Sequence, residues 1–317
     1  MNPQHAVLFQ PLPIRTHELR NRLVCPPMVT CRDVVGPEGL KWYRTIAAGG
    51  VGCVIVEAMR VHLFGTDFTA ANMRGLADAI TTEGALPVVQ LFLAQTEGLA
   101  EPADFSLADL DRVVEQFVTA ARVCEEAGFA GVEPHGAHGF LLNRFFSPVA
   151  NSRTDDYGGQ ALEGRMKLGL RIVSTLRERL SDETLLFYRH TPRLGEDYPL
   201  DDSLQFARRL QAAGLDVLDL SPAGIDEPAE LAAPFASELT IPVIAVNNMC
   251  QHDRAVTALE QGRADLVAIG RGLIADPEWP RKTQAGRLDE ILFCTECDEA
   301  CFGNLRRGEP IGCVLHD

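Results

Sequence analysis

Two histidines, His135 and His138, stand three residues apart in the segment HGAHGF. Imidazole rings that converge at this spacing can donate hydrogen bonds to one carbonyl or carboxylate oxygen, or they can ligate a metal ion. The alternative is that one ring lies in a solvated loop and the other bonds a backbone carbonyl. The spacing alone leaves both interpretations open.

Two further polar residues, Arg189 and Gln90, follow short apolar runs. A buried arginine needs an anionic partner, which is either a bound cofactor or a neighbouring carboxylate. The amide of Gln90 can both donate to and accept from the edge of a heterocycle, or it can satisfy a loop backbone. Both residues are therefore candidates for cofactor contacts, with a purely structural role as the alternative.

The segments VNNM at 246–249 and GRG at 270–272 have features of a phosphate site. Asn247 and Asn248 tolerate the left-handed conformation that exposes backbone amides. Arg271 follows Gly270 at the start of the final predicted helix, where it adds positive charge. An ordinary turn with a solvated arginine is the alternative.

Four of the nine cysteines crowd the C-terminal end of the chain: Cys294, Cys297, Cys301 and Cys313. The N-terminal segment MNPQHAVLFQPLP lacks a basic region followed by an apolar one, which is the pattern of a secretory signal. Because stable disulfides belong mainly to exported proteins, we expect a cytoplasmic protein whose C-terminal cysteines bind metal.

The charge balance and hydropathy exclude other classes. With 29 Lys+Arg against 44 Asp+Glu, the net charge is −15. Such a surface repels phosphate backbones, so we expect no binding to nucleic acid. No apolar run approaches the length of a membrane-spanning helix, so we expect no membrane insertion.

One junction recurs along the chain: an amphipathic helical stretch, a glycine, and then a short run rich in Val, Ile and Leu. Ser106 and Asp109 form a candidate capping box before one such helix. Five candidate strands follow such junctions: VGCVIVE (51–57), LPVVQLF (86–92), AGVEP (130–134), DVLDLS (216–221) and DLVAIG (265–270). Three further apolar runs make eight: RLVCPP (22–27), TLLFYR (184–189) and PVIAV (242–246).

Because the runs are continuously apolar, both faces should be buried, as in a parallel sheet. The pattern predicts an α/β fold, a (β/α)8 TIM barrel over residues 1–290, followed by a short cysteine-rich segment at 291–317. An open doubly wound sheet is the alternative, and the absence of a GxGxxG fingerprint after an early strand weakens it.

Active sites of such barrels lie at the carboxyl ends of the strands. The residues that we expect there are unusually polar for positions that close apolar strands. They are Pro27-Met28-Val29, Glu57-Ala58, Gln90, His135 to Phe140, Arg189-His190, Ser221-Pro222, Asn247-Asn248 and Gly270-Arg271.

Taken together, these residues resemble the old yellow enzyme family of FMN-dependent barrel oxidoreductases. The resemblance runs in order through nearly the whole chain, and its central segment is highly specific. The matching segments are NRLVCPPM (21–28), GVGCVIVEA (50–58), VVQLF (88–92), GVEPHGAHGFLLNRFFSPVANSRTDDYGG (131–159), LLFYR (185–189), IPVIAVNN (241–248) and GRADLVAIGRGLIADPEWPRK (262–282).

The resemblance implies that FMN lies across the barrel mouth, where Arg189 faces the flavin N1 and C2 carbonyl and Gln90 its pyrimidine edge. His135 and His138 would grip a substrate oxygen while hydride from flavin N5 adds at the β-carbon of an unsaturated acceptor. Other implied contacts are Pro27, Met28, Val29 and Ala58 along the isoalloxazine, and Asn247, Asn248, Gly270 and Arg271 at the phosphate.

The C-terminal spacing Cys294-x2-Cys297-x3-Cys301-x11-Cys313 resembles the four-iron motif of the subgroup that contains bacterial 2,4-dienoyl-CoA reductase and trimethylamine dehydrogenase. Four thiolates suit a [4Fe–4S] cluster, and tetrahedral zinc is the alternative. In that subgroup the cluster relays electrons to a C-terminal FAD/NAD(P)H domain. We expect that domain to be absent here. The expected partner is then a separate electron-transfer flavoprotein, reductase subunit or ferredoxin, in a homo- or hetero-oligomer.

Phe140 departs from the family pattern, because many relatives have a proton-donating tyrosine there. Water, His138, His190 and Cys31 are the alternative donors. The resulting hypothesis is an ene-reductase-like oxidoreductase acting on an unsaturated carbonyl or acyl compound. The alternatives are an amine or cyclic-substrate dehydrogenase, a non-redox phosphate-binding isomerase or lyase with structural zinc, and a degenerate subunit.

Overall fold

The structure, a computed structural model, describes residues 3–93, 100–224 and 228–316. Ten strands and eleven α-helices are assigned within these ranges. The strands are β1 (Leu12–Ile14), β2 (His17–Leu19), β3 (Leu23–Cys25), β4 (Cys53–Arg60), β5 (Leu86–Phe92), β6 (Gly131–Gly136), β7 (Leu185–His190), β8 (Val217–Leu220), β9 (Val243–Ala245) and β10 (Leu266–Ala268). The α-helices are α1 (Pro37–Ala48), α2 (Ala70–Thr81), α3 (Leu107–Ala127), α4 (Leu141–Phe146), α5 (Leu162–Arg179), α6 (Leu200–Ala212), α7 (Ala233–Glu238), α8 (His252–Glu260), α9 (Arg271–Ala275), α10 (Trp279–Ala285) and α11 (Asn304–Arg307).

Strands β3 to β10 form a closed barrel in which every neighbouring pair is parallel and β10 returns to β3. Each of the eight predicted runs overlaps one of these strands, although β4, β6 and β7 extend past the predicted ends. All six residues of β6 and all six of β7 are buried, as the continuous apolar pattern predicts. The predicted (β/α)8 barrel is therefore confirmed.

Helix α3 shows how local sequence signals set the strand and helix boundaries. Ser106 caps its first turn, where the Asp109 amide donates to Ser106 Oγ and the Ser106 amide donates to Asp109 Oδ2. Gly128 ends the helix in the left-handed conformation, with φ of +93°, which glycine adopts without steric cost. The chain can then turn directly into β6.

The barrel interior below the mouth is apolar. The hairpin β1–β2 closes its amino-terminal end, where Ile14 and Leu19 join the interior cluster. The sequence pattern did not predict this hairpin. Interior side chains from the barrel strands fill the space above it: Val24, Cys53, Ile55, Val88, Leu185, Phe187, Val217, Ile244, Leu266 and Ala268. Because side chains alternate along a strand, the next inward positions toward the carboxyl ends form the floor of the mouth.

The C-terminal segment that follows α10 packs beside the carboxyl ends of the strands. The Ile311 amide donates to the Thr30 carbonyl, and Arg32 donates to the Ile311 carbonyl. Ile291 and Ile311 are buried. None of the helices in the described ranges is long and apolar enough to cross a membrane.

Candidate active site

Two adjoining cavities open at the carboxyl ends of the strands and share Pro27 and Arg189. Cavity I has a volume of about 180 Å³ and cavity II of about 550 Å³. Every residue that the sequence predicts for catalysis or cofactor binding lines one of them. Of these residues, the ones that line cavity I are Pro27, Met28, Arg189, Asn247, Asn248, Gly270 and Arg271. The ones that line cavity II are Pro27, Val29, Ala58, Gln90, His135, His138 and Arg189.

Four side chains from neighbouring strands form a polar floor under these cavities. Gln90 Nε2 donates to Glu133 Oε1 over 2.7 Å, and Arg189 Nη1 donates to Asp219 Oδ2 over 2.6 Å. Each pair is also aligned in register, because Gln90 faces Glu133 and Arg189 faces Asp219 across adjacent strands. The two predicted cofactor contacts are thus each held by a buried carboxyl group.

The floor leaves polar atoms without partners among the described residues. Arg189 Nε, Glu133 Oε2 and Asp219 Oδ1 are buried and make no hydrogen bond. Burial raises the pKa of Glu133 well above its usual value, the charge of Asp219 adds to this, and Arg189 and Gln90 oppose it. Burial also raises the pKa of Asp219, against the attraction of Arg189. A protonated Glu133 would leave Arg189 and Asp219 as a neutral pair.

His135 and His138 meet in cavity II with ring centroids 5.2 Å apart. Arg189 Nη2 donates to Ser221 Oγ over 2.9 Å, and the same oxygen lies 2.8 Å from His138 Nε2. The serine oxygen accepts from arginine and still has a proton that it can donate to His138 Nε2. In that arrangement the His138 proton lies on Nδ1.

Both imidazoles are neutral near pH 7. Burial, with the nearby charge of Arg189, lowers the pKa of His138 to about 4. Burial, with His138 and Arg189, lowers the pKa of His135 well below its usual value, and His135 Nδ1 has no partner among the described residues. Neutral imidazoles that each carry one N–H can donate to a ligand oxygen without adding full positive charge.

The candidate proton donors do not all reach this site. His190 follows Arg189 in β7 and therefore points to the outer face of the barrel, where its ring contacts Phe146 and its Nε2 lies 2.8 Å from Ser203 Oγ. Its proposed role as donor is wrong for this reason. Cys31 lines neither cavity, whereas His138 lines cavity II.

The predicted phosphate residues all line cavity I. Asn247 and Asn248 adopt left-handed backbone conformations, with φ of +77° and +54°. Arg271 lies 3.5 Å from Glu296 and 3.4 Å from Asp298 in ion pairs that reach the C-terminal segment. Arg271 is therefore ion-paired with the C-terminal segment that carries the four cysteines.

The four C-terminal cysteines surround one small cavity, called cavity III, which Arg271 also lines. Cys294 lines both cavity III and cavity I. All nine cysteines are free thiols. In the described ranges, no three His, Cys, Asp or Glu side chains lie close enough together to hold a single metal ion.

Three residues of the site escaped the sequence interpretation. Glu133 and Asp219 lie inside predicted strands, and only the strand register shows which neighbours they contact. Arg60 ends β4 and lines cavity II, although the predicted strand stops at Glu57. A carboxylate inside an apolar run was the one available signal, because such a residue needs a partner.

Residues 92–290 match the model of a family described as NADH:flavin oxidoreductase / NADH oxidase. An NADPH dehydrogenase of Geobacillus sp. (strain WCH70) is 31% identical over 318 residues, covering 87% of this chain and 93% of that protein. An NADH oxidase of Thermoanaerobacter brockii is 32% identical over 340 residues, covering 90% of this chain. This chain spans 52% of that oxidase.

A solved structure of 2-naphthoyl-CoA reductase in complex with 2-naphthoyl-CoA has the same fold, with a TM-score of 0.89 and 23% sequence identity. The superposition covers 98% of this chain and 57% of the reductase. At this identity the likeness concerns the fold alone.

Proposed function

The chain belongs to the NADH:flavin oxidoreductase / NADH oxidase family of FMN-dependent oxidoreductases, and we propose that it transfers hydride between FMN and an unsaturated carbonyl or acyl compound. The observation that carries this proposal is the neutral pair His135 and His138 in cavity II, which adjoins cavity I at Arg189. A further part of the proposal is that electrons pass through a [4Fe–4S] cluster in the C-terminal segment.

The residues around both cavities fit FMN. The unpartnered Nε of Arg189 is a buried donor in need of an acceptor, which the C2 carbonyl edge of a flavin would supply. Gln90 already donates its Nε2 to Glu133, so its Oε1 is free to accept from a ring N–H. Asn247, Asn248, Gly270 and Arg271 would hold the phosphate.

When bound, FMN supplies a flavin N5 that gives or takes hydride. The protein's own part is to fix the substrate beside it. His135 and the Nδ1–H of His138 would donate to the substrate's carbonyl oxygen and stabilise the negative charge that develops there. Phe140 has no hydroxyl, and neutral His138 already donates its one N–H to the carbonyl oxygen, so water would protonate the α-carbon.

The arrangement of the four C-terminal cysteines supports the cluster part of the proposal, with a single zinc ion as the alternative. In a [4Fe–4S] cluster each cysteine binds a different iron, which suits four thiols around one cavity. Cys294 would bring the cluster next to cavity I, and a separate flavoprotein, reductase or ferredoxin would exchange electrons there.

The family membership removes the non-redox isomerase or lyase from the alternatives. Dehydrogenation of an amine or a cyclic substrate remains a second candidate. The observation that favours it is Phe140 in cavity II, because hydride loss to the flavin needs no acid at the α-carbon. A degenerate subunit would bind FMN without turnover.

The test is anaerobic purification followed by absorption spectroscopy with NADH, NADPH and dithionite added separately. We expect flavin bands with a broad shoulder, and about four iron and four sulfide per chain. Bound zinc without iron would contradict the cluster. Bleaching by dithionite alone would support a separate reductant, and bleaching by a nicotinamide alone would argue against one.

Replacing His135 and His138 together with alanine should abolish the charge-transfer band that phenols form with the flavin, while FMN stays bound. The matched control is His17→Ala, at a partly exposed histidine that contacts the Glu183 carbonyl on the far side of the barrel. An unchanged band in the double variant would contradict the assigned role of the pair.

A further inference from the structure

We propose that Arg60 makes the enzyme selective for substrates that carry an anionic group remote from the oxygen held by His135 and His138. The inference rests on the proposed function, because it takes cavity II as the substrate site. It adds the chemical class of the substrate and the residue that recognises it.

A β-bulge in β4 brings Arg60 into the cavity. Val56 pairs with Val89 and Met59 pairs with Leu91, so three steps on β4 match two steps on β5. Regular alternation from the inward Ile55 would place Met59 inside and Arg60 outside. The extra residue reverses this, because Met59 packs in the outer core and Arg60 lines cavity II. Bulges at barrel rims commonly redirect side chains in this way.

The Arg60 side chain makes no hydrogen bond or ion pair with any residue in the described ranges, and it is exposed. The other arginine of the cavity, Arg189, is already paired with Asp219. Among the described residues that line cavity II there is no Asp or Glu, although the chain as a whole carries a net charge of −15. The mouth therefore presents an unneutralised guanidinium, a group that binds carboxylates and phosphates through paired hydrogen bonds.

An aromatic wall separates this cation from the histidine pair. Arg60 faces Phe92 in the strand register, the Phe92 ring lies 5.2 Å from the Phe140 ring, and the Phe140 ring lies 4.9 Å from the His135 ring. The rings of Phe92 and Phe140 thus lie between Arg60, which would bind the anion, and the histidine pair, which would bind the oxygen. A ligand that reaches both has a planar or apolar body, a carbonyl at one end and a carboxylate or phosphate at the other.

The test compares two ligands that differ only in remote charge: 3-(4-hydroxyphenyl)propanoate and its neutral amide. Both present the same phenol to His135 and His138, and their dissociation constants follow from the perturbation of the flavin spectrum. For a partly exposed ion pair we expect the carboxylate to bind about fivefold more tightly. Arg60→Gln should bring the ratio close to one, and Arg60→Glu should favour the amide. Added salt should reduce the wild-type preference.

The matched control is Arg122→Gln, which removes one exposed cation from the outer helix α3 and should keep the wild-type ratio. Equal binding of the two ligands by the wild-type protein, or an unchanged ratio in Arg60→Gln, would overturn the inference. Arg60→Gln could instead slow only the bleaching of the flavin by NADH or NADPH and leave the ratio of the two dissociation constants unchanged. In that case Arg60 binds the nucleotide phosphates and the inference is wrong. A protein that binds neither FMN nor phenols would instead refute the proposed function.

Discussion

Arg189 and Asp219 form an ion pair inside the barrel, with Nη1 2.6 Å from Oδ2 and both side chains buried. The two residues face each other in register on β7 and β8. Asp219 therefore holds one edge of the guanidinium while Ser221 holds another, and Nε is left for a ligand. The pair fixes both the position and the charge of the residue that cavities I and II share.

Removing the carboxylate of this pair should destabilise the protein strongly. Asp219→Asn removes the hydrogen-bonded counterion of a buried arginine, and the expected loss is about 3–5 kcal/mol in the free energy of unfolding. The control is Asp182→Asn, because Asp182 is 91% exposed in its pair with Arg15 and should contribute within about 1 kcal/mol. Urea unfolding measures both variants. Similar small losses in the two would mean that Arg189 finds another partner or water.

A buried histidine should make the protein sensitive to acid. Burial lowers the pKa of His190 from 6.5 to about 3, so the folded state binds fewer protons than the unfolded state. The stability that neutral His190 contributes is therefore complete above about pH 6.5 and declines as the pH falls toward 3. At pH 4.5 the expected loss is about 2–3 kcal/mol.

His190→Gln should remove this component, so its unfolding free energy should change less between pH 6.5 and 4.5 than that of the wild type. Chemical denaturation at several pH values provides the measurement. His17→Gln, at a partly exposed histidine, should retain the wild-type slope. A variant at position 190 with the wild-type slope would show that other groups account for the acid sensitivity.

Local sequence was sufficient to predict the barrel and most residues of its mouth. Each glycine junction marks where a helix ends and a strand begins, and strand ends in a parallel barrel must meet at one edge. Arg189, Gln90 and the histidine pair could therefore be placed together from strand order alone. Their roles in chemistry follow from residue type as much as from position.

The parts that escaped prediction depend on contacts between distant segments. Asp219 satisfies Arg189 only because β7 and β8 align at that register, and the sequence left a cofactor and a carboxylate equally open as partners. Arg60 enters cavity II only because β4 contains one extra residue against β5, which no local pattern marks. Cys294 borders cavity I because the C-terminal segment folds back over the strand ends.

Ser221 should control the binding of oxygen ligands through His138. Ser221→Ala removes the partner of His138 Nε2, so the imidazole can adopt the other tautomer and turn its N–H away from the ligand. A hydrogen bond of this kind contributes about 0.5–1.5 kcal/mol, and we expect phenol binding to weaken about three- to tenfold. Ser221→Thr keeps the hydroxyl and should restore most of the affinity.

Phenol titration of the flavin spectrum would measure this effect, with FMN content as the check on the fold. Because the pKa of His138 is about 4, its neutral form should persist from pH 5 to 8 and contribute no pH dependence of binding there. A loss of affinity that Ser221→Thr does not rescue would indicate a role in packing rather than in orienting His138.

Restoring a hydroxyl at position 140 should accelerate alkene reduction. The Phe140 ring lies 4.9 Å from the His135 ring and borders cavity II, so Phe140→Tyr would place an acid close to a substrate held by the histidine pair. General acids typically raise rates by about 10²–10⁴-fold, and we expect at least about a tenfold gain in turnover with a conjugated enone. Single-turnover reoxidation of the reduced flavin, with its solvent isotope effect, is the measurement. Phe68→Tyr adds the same hydroxyl to a partly buried ring that lines none of the three cavities and should leave the rate unchanged. No gain in Phe140→Tyr would mean that another donor already supplies the proton, or that alkene reduction is not the reaction of this site.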